Sequence, residues 1–425
     1  MRTGIKKALA AVLAVVLAAS LCGCDKGYIM TVDGLEIRNG IYLNYLQEAY
    51  GQADSELESQ NSDTSGDEET SSSEDETSGS EDTSSEQTST ESVPITKEEI
   101  NGKTGSQWIK DETMKYVRRF VAVKRKCEEF NITLTEEEQN QINNDIKDMW
   151  DNENQYVQYI YGFKTMGEYF EDQGIGRESM RDINTTNELK TKLFLHYYGE
   201  GGELAISEED FEKYLTENYA SVRKIEIDYT DASGKALEKD EDKKALKDEA
   251  QKYADRVNNG EKAVDVFYDY YVDKATKTIT AKAETEYKED NEEGLSKEEW
   301  IQKKVEEEEI VKSEKDEDIE EVINKGESNY DDKTTDYIFG LTADGKANVF
   351  EGDNKLYVII KADVTKNADW IESNKTGVLQ AMKGDDFDAK LDEFGSAYEV
   401  NAQQRLVDKK YGPERLNKKD SDSSQ

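Results

Sequence analysis

The chain has 425 residues, a formal net charge of −41 and a hydrophobic fraction of 35%. Its length is enough for two or three domains with hydrophobic cores, although the hydrophobic fraction is low. Binding to nucleic-acid backbones needs clusters of lysine and arginine, so the acidic balance excludes nucleic acid as a partner. With three cysteines and one histidine, the chain also lacks the composition for a disulfide framework or a Cys/His metal cluster.

The N-terminal segment has the layout of an export signal. Basic residues precede an apolar run over residues 8–19, which is too short to span a bilayer. The run ends in Leu-Cys-Gly-Cys at residues 21–24, which resembles a bacterial lipobox. The resemblance implies a signal peptide over residues 1–23 and a lipid-modified Cys24 that anchors the protein at the extracytoplasmic face of the cell membrane. The alternative is an ordinary secretory signal with two incidental cysteines.

An acidic segment interrupts the fold soon after the signal. Residues 28–37 predict two strands around an Asp-Gly turn, and residues 41–50 predict an amphipathic helix. From Gly51 to Val93 the chain carries fourteen acidic residues, nineteen serines or threonines and no basic residue. Such a segment cannot bury enough apolar surface to offset the entropy lost on ordering. We therefore expect residues 53–93 to be a disordered insertion, which a fold tolerates because loop-closure entropy grows slowly with length.

Helical patterns dominate the next hundred residues. Helices are predicted over residues 108–130, from a capping box at Thr135 through apolar positions to Ile160, over residues 177–198, and from a cap at Ser207 to Tyr219. Cys127 falls in an apolar stripe of the first of these helices, where cysteine acts as a small buried hydrophobe. His196 is expected to be a surface or packed helix residue and not a metal ligand.

Strand and helix then alternate toward the C-terminus. Residues 222–229 and 355–361 have strand character, and between them lie a predicted helix over residues 240–258 and a Lys/Glu-rich stretch over residues 273–321. Residues 369–394 return to helix. The sequence therefore predicts an α+β fold that is mostly helical.

Three short motifs stand out along the chain: Thr-Val-Asp-Gly-Leu-Glu-Ile at residues 31–37, Asn-Ile-Thr-Leu-Thr-Glu-Glu-Glu at residues 131–138 and Ile-Ser-Glu-Glu-Asp-Phe-Glu-Lys-Tyr at residues 206–214. They resemble motifs of SurA/PrsA-type extracytoplasmic foldases. Their order, spacing and position behind a lipobox carry the resemblance, from which the acidic insertion departs. The resemblance implies a helical chaperone module built from both ends of the chain. Inserted in this module is a parvulin-type peptidyl-prolyl isomerase domain, an α/β domain with a small antiparallel sheet. The implied divisions are residues 24–52, 94–220 and 365–412 for the module, 221–364 for the inserted domain and 413–425 for a disordered tail.

The implied parvulin-like domain is degenerate. Val-Arg-Lys-Ile-Glu-Ile at residues 222–227 resembles the family's first strand, and Leu-Tyr-Val-Ile-Ile-Lys at residues 356–361 resembles its last. The family has an active-site histidine in each strand, whereas the corresponding positions here fall near Lys224 and at Val358. Because His196 is the only histidine of the chain, the histidine pair cannot form. We expect no catalytic residue, no cofactor and no metal.

The function implied by the resemblance is that of a membrane-anchored chaperone or foldase for unfolded secreted polypeptides. Prolyl isomerase activity is expected to be small or absent. Two alternatives stay open: an active peptidyl-prolyl cis-trans isomerase with a histidine-free pocket, and a structural or ligand-binding lipoprotein that keeps the fold.

Overall fold

The structure, a computed structural model, describes residues 27–64, 93–290, 294–353 and 355–417. This part of the chain is mostly helical, with 65% helix and 13% strand, and its sheets are small and antiparallel. The predicted α+β, mostly helical class is confirmed at that level. The described residues divide into two compact units: a first unit within Met1–Leu204 and Lys383–Gln425, and a second unit within Ala205–Met382.

The secondary-structure elements of the described residues are numbered in chain order. The strands are β1 (Tyr28–Val32), β2 (Leu35–Arg38), β3 (Glu99–Ile100), β4 (Lys103–Thr104), β5 (Tyr219–Asp228), β6 (Glu321–Asn324), β7 (Ala347–Glu351), β8 (Lys355–Ala362) and β9 (Val400–Ala402). The helices are α1 (Asn39–Thr64), α2 (Gly105–Phe130), α3 (Glu136–Asp151), α4 (Gln155–Tyr161), α5 (Met166–Gln173), α6 (Arg177–Tyr198), α7 (Glu208–Asn218), α8 (Asp240–Asn258), α9 (Ala263–Asp290), α10 (Lys297–Glu307), α11 (Asp332–Gly340) and α12 (Ala368–Ser396).

Capping side chains set helix ends in the first unit. Thr135 forms the predicted capping box: its hydroxyl accepts from the Glu138 N–H at 3.2 Å, and the Glu138 carboxylate accepts from the Thr135 N–H at 2.7 Å. The prediction that this helix continues to Ile160 is wrong, because Asn154 starts a second helix, α4, by accepting from the N–H of Val157 at 3.0 Å. An asparagine side chain competes for backbone groups, which favours a new helix start over continuation.

The course of α1 corrects the predicted boundary of the acidic insertion. Composition predicts disorder from residue 53 onward, whereas α1 continues to Thr64. Ala53 is fully buried and Leu57 packs against the core of the first unit, so the apolar side of the helix extends into the acidic segment. Packing of an amphipathic face stabilises a helix more than its local propensity does. Residues 65–92 of the predicted insertion lie outside the described residues, as do the signal peptide, Cys24 and residues 418–425 of the predicted tail. The prediction of disorder from residue 413 is wrong for the start of that tail, because Pro413 is buried and Leu416 packs against the core of the first unit.

The core of the first unit joins distant parts of the chain. β1 pairs with both β2 and β9, so a strand near the C-terminal end completes a sheet begun near the N-terminal end. Buried side chains from β1, α1, α2 and α6 form one cluster with Val407. Arg119 of α2 donates to Asp392 and Asp388 of α12, with each donor–acceptor distance 2.6 Å. The N- and C-terminal segments therefore build this unit together.

The second unit is built on a four-stranded antiparallel sheet with the strand order β6-β5-β8-β7. Helices α8, α9 and α10 come between β5 and β6 in the chain, and α11 comes between β6 and β7. Much of the Lys/Glu-rich stretch is helical: α9 ends at Asp290, and Ser296 opens α10 with a capping box to Glu299. These helices and the sheet position the candidate site.

The two faces of this sheet have different surroundings. On one face Ile225, Val358 and Ile360 pack against α8 and α9, forming the larger core cluster of the unit. On the other face Val222 and Tyr357 pack against α11 in a smaller cluster with several partly buried aromatic side chains. The second face is therefore only partly covered, and it is the face that holds the candidate site.

Candidate functional site

Lys224 and Val358, the positions that the family resemblance assigns to histidines, lie on the two central strands of the sheet. Lys224 is opposite Ile359 in the β5–β8 ladder, and Val358 is opposite Ile225. Because successive side chains of a strand point to opposite faces, Lys224 and Val358 are on different faces of the sheet. Val358 is fully buried in the core against α8 and α9. The structure therefore does not bring the two positions together on one surface.

Lys224 lies in a cluster of charged and phenolic groups on the partly covered face. Its Nζ is 2.8 Å from a carboxylate oxygen of Glu226 and 2.8 Å from one of Glu321. It also donates to the phenol oxygen of Tyr330, and the centroid of that ring is 4.4 Å from the ammonium. Burial by itself lowers the pKa of Lys224, but the hydrogen bonds to Glu226 and Glu321 outweigh burial and raise it above its ordinary value. Lys224 is thus held in its charged form.

Glu226 bridges two lysines on this face. One of its oxygens pairs with Lys224, and the other lies 2.7 Å from the Nζ of Lys355. Burial by itself raises the pKa of Glu226, whereas the hydrogen bonds from Lys224 and Lys355 lower it below the ordinary value. The carboxylate is therefore ionised at neutral pH and engaged on both sides. These residues do not form an acid–base pair that is ready to exchange a proton near pH 7.

A row of aromatic rings adjoins these charges. The ring centroids of Tyr330 and Tyr357 are 6.1 Å apart, those of Tyr357 and Phe350 are 6.5 Å apart, and Phe350 stacks on Tyr337 at 4.0 Å. Tyr357 is buried, whereas Tyr330, Tyr337 and Phe350 are half-buried and present ring surface. We call this aromatic row together with Lys224 and its carboxylate partners the Lys224 face.

The Lys224 face is suited to binding and not to proton transfer. Aromatic rings give a large apolar contact area, and the neighbouring paired charges can orient a peptide through its polar groups. His196 lies on α6 in the first unit, where it is exposed and its ring is tilted by 33° against that of Phe130, with centroids 4.5 Å apart. The only imidazole of the chain is therefore not part of this face.

Cys127 behaves as its apolar position predicts. It is buried in α2, and its Sγ lies 3.6 Å from the carbonyl oxygen of Leu189. Burial raises the pKa of the Cys127 thiol to about 11. Since the thiolate is the reactive form of cysteine, this side chain is unreactive at neutral pH.

The sequence did not identify the partners of Lys224. The alternation Lys-Ile-Glu-Ile at residues 224–227 is a usable signal for one of them, because it places Lys224 and Glu226 on the same face of a strand. Tyr330 is 106 residues away from Lys224 in the chain. Neither it nor Glu321 has a local pattern that indicates this contact, which depends on β6 pairing with β5.

Comparison with known proteins gives no relative for this chain: no protein-family model, no curated protein and no solved structure matches it. Within the described ranges, none of the helices is both long and apolar enough to cross a lipid bilayer. Among those same residues, no three His, Cys, Asp or Glu side chains are grouped so as to hold a metal ion.

Proposed function

We propose that this protein is a lipid-anchored extracytoplasmic chaperone that assists the folding of secreted polypeptides, with little or no prolyl isomerase activity. The observation that carries the proposal is the Lys224 face, where partly exposed aromatic rings border paired charges and no histidine is present. Such a surface can hold an apolar side chain of an unfolded chain without supplying acid–base chemistry.

The architecture supports this proposal. The first unit is built from both ends of the chain, and the second lies between them in sequence. The second unit has a four-stranded antiparallel sheet, with α8 and α9 packed on one face and α11 on the other. A helical module from both chain ends with an inserted small-sheet domain is what the SurA/PrsA resemblance implies.

The proposed lipid anchor would hold the protein at the membrane, where secreted polypeptides emerge. Newly exported chains are unfolded and expose apolar segments that aggregate. A lipid-modified Cys24 with two or more acyl chains holds a protein at the membrane, since one chain alone binds only reversibly. Replacing Cys24→Ala should release the protein from the membrane fraction or leave its signal peptide uncleaved. A mature, membrane-bound Cys24→Ala protein would contradict the anchor.

Two assays on the purified mature chain, carrying Cys24→Ala to omit the lipid, test the chaperone proposal. The protein should slow aggregation of an unfolded client at about stoichiometric concentration. It should barely accelerate cis/trans isomerisation of a proline test peptide, which takes tens to hundreds of seconds without a catalyst. Tyr337→Ser, which removes a half-buried ring from the Lys224 face, should weaken the suppression of aggregation. Tyr28→Ser is the matched control, because Tyr28 is a 46% exposed tyrosine of β1 in the first unit.

The two assays also separate the alternatives. Rapid isomerisation would contradict the proposal and favour a histidine-free isomerase. Failure in both assays would favour a structural or ligand-binding lipoprotein. If Tyr337→Ser suppresses aggregation as well as the unaltered protein does, the Lys224 face is not the surface that binds the client.

A further inference from the structure

The short helix α4 presents a group of large apolar side chains to solvent. Tyr156, Tyr159, Ile160 and Tyr161 are 67%, 87%, 47% and 48% exposed, and they fall within six consecutive residues. Elsewhere in the described chain, large apolar side chains with comparable exposure occur singly. Single exposed apolar residues are normal on protein surfaces, whereas a contiguous group marks an interaction site. We call these four residues the tyrosine patch.

The backbone holds the tyrosine patch in one conformation. The Asn154 N–H donates to the Lys164 carbonyl at 2.9 Å, and Glu153 and Thr165 form a β-bridge. These contacts hold the two ends of the segment that contains α4 next to each other. Val157 is fully buried and fixes the inner side of α4. Gly162 ends the helix in the left-handed conformation at φ 75°. The exposed side chains therefore stand on an ordered support.

Aromatic packing extends this support beneath the tyrosine patch. The rings of Tyr161 and Tyr169 have centroids 4.6 Å apart, those of Tyr169 and Phe170 are 5.7 Å apart, and Phe170 stacks on Trp150 at 6.1 Å. The Trp150 Nε1 donates to Glu171 at 2.9 Å, which fixes the far end of the row. A surface that is ordered before binding loses less conformational entropy when a partner docks.

The charges around the patch limit which partner can dock there. Residues 147–172 contain six acidic side chains and two basic side chains, Lys147 and Lys164. The next cation along the chain, Arg177, lies 3.6 Å from Asp151 and is already paired. This negative rim repels anionic lipid headgroups, and it also repels a second copy of the same surface. It attracts a segment that carries lysine or arginine beside its apolar residues.

We propose that the tyrosine patch binds extended segments of unfolded polypeptides in which aromatic or aliphatic residues are flanked by lysine or arginine. This proposal rests on the proposed chaperone function and specifies the chemistry of its clients. The apolar anchors contact the rings of Tyr156 and Tyr159 and the Ile160 side chain, and the flanking cations lie against the acidic rim.

Peptide binding to the mature Cys24→Ala chain tests the proposal. Fluorescence anisotropy compares a peptide with a Phe/Leu centre and lysine flanks with a peptide of the same centre and glutamate flanks. The lysine-flanked peptide should bind more tightly, and its affinity should fall when salt is raised from about 0.05 M to about 0.5 M, because salt screens exposed charges. The double variant Tyr159→Ser/Ile160→Ser should weaken its binding by about tenfold or more, as expected for removal of central anchors. Tyr28→Ser is the matched control and should bind as the unaltered protein does.

A second variant tests the role of charge separately from the apolar contacts. The double variant Asp148→Asn/Glu153→Gln neutralises two exposed side chains of the rim. It should reduce the preference for the lysine-flanked over the glutamate-flanked peptide, and it should make peptide affinity less dependent on salt. Equal affinity for the two peptides, or unchanged binding by Tyr159→Ser/Ile160→Ser, would overturn the proposal. Binding to anionic vesicles, or dimer formation that these tyrosine-patch substitutions abolish, would also overturn it by giving the patch another occupant.

The outcome for the tyrosine patch is distinguishable from the outcome for the chaperone function. If the unaltered protein suppresses aggregation and Tyr159→Ser/Ile160→Ser suppresses it equally well, the patch proposal fails and the function stands. If the unaltered protein neither suppresses aggregation nor binds the lysine-flanked peptide, both fail. If Tyr159→Ser/Ile160→Ser loses peptide binding while its circular dichroism and unfolding temperature stay unchanged, the result supports the proposal for the tyrosine patch.

Discussion

The first and second units close their cores in different ways. In the first unit, β1 pairs with β9, and Phe387 of α12 packs edge-on against Phe194 of α6 with ring centroids 5.4 Å apart. In the second unit, all four strands of the sheet come from residues 219–362. The first unit therefore depends on contacts between the two ends of the chain. We expect the second unit to keep its sheet when residues 383–417, which belong to the first unit, are altered.

The units also present aromatic side chains differently. On the Lys224 face, rings lie half-buried against a sheet beside paired charges. On the tyrosine patch, the side chains of one helix project outward, with Tyr159 87% exposed. For the proposed chaperone, we expect the two surfaces to contact different parts of an unfolded client.

The largest expected effect on stability comes from breaking the closure of the first unit. Phe387 is 2% exposed, so Phe387→Ala should lower the free energy of unfolding by about 3–5 kcal/mol through lost burial and the cavity left behind. Hydrogen exchange should show faster exchange of β1 amides while β5 and β8 amides keep their protection. Equal loss of protection in both units would show that they unfold as one cooperative body.

The next largest effect tests the separation of Lys224 and Val358 on the sheet. Because Val358 faces the core against α8 and α9, Val358→His should bury an imidazole without a hydrogen-bond partner and cost about 2–4 kcal/mol. Urea unfolding measures the loss, and Val358→Ala is the control for lost packing alone. Isomerase activity should not rise in Val358→His. A gain in isomerase activity would mean that the side chain reaches the Lys224 face.

A smaller effect is expected from the ion pairs that join α2 to α12. Arg119→Ala removes three short hydrogen bonds to Asp388 and Asp392 and leaves two partly buried carboxylates short of a cation. We expect a loss of about 1–3 kcal/mol in urea unfolding, toward the lower end because Lys190 also pairs with Asp388 at 2.7 Å. Arg119→Lys keeps the charge but not the forked geometry, so its loss should be intermediate. A loss below about 0.5 kcal/mol for Arg119→Ala would contradict the role of this contact.

The smallest effect concerns the charges of the Lys224 face. The folded-state pKa of Glu226 is below its ordinary value because hydrogen bonds from Lys224 and Lys355 outweigh burial. Its contribution to stability is therefore present above the unfolded-state pKa of about 4.3 and is lost as pH falls through the lower folded-state pKa. Since the Glu226 side chain is 34% exposed, Glu226→Gln should cost about 0.5 kcal/mol at pH 7. The difference in unfolding free energy between variant and unaltered protein should vanish as the pH falls below the folded-state pKa of Glu226, and a constant difference at all pH values would contradict the assignment.

Local elements of both units could be predicted from the sequence. The predicted helices over residues 177–198 and 240–258 have the bounds of α6 and α8, and Thr135 and Ser207 cap the helices that their sequence positions indicate. These features depend on residues three or four positions apart, so the signal is complete within a short window. The predicted helix through Ile160 is wrong for a related reason. The apolar pattern continues across Asn154, although the Asn154 side chain caps a new helix there.

Features that depend on distant partners could not be predicted in the same way. The continuation of α1 past residue 53 rests on Leu57 packing against the core, and the environment of Lys224 rests on Glu321 and Tyr330 arriving from β6 and the segment that follows it. Composition near residue 53 and alternation near Lys224 contain no information about those partners. The amino-acid sequence by itself therefore determined the mostly helical α+β class, the absence of a histidine pair and several helix ends.

Only the tertiary structure decided which side chains share a surface. The β5–β8 ladder places Val358 opposite Ile225 and not opposite Lys224. Because side chains alternate along a strand, a shift of one residue in this register would move Val358 from the core to the Lys224 face. The register depends on which side chains of β5 and β8 pack against α8 and α9. These strands are more than a hundred residues apart in the chain, so no short sequence pattern indicates their register.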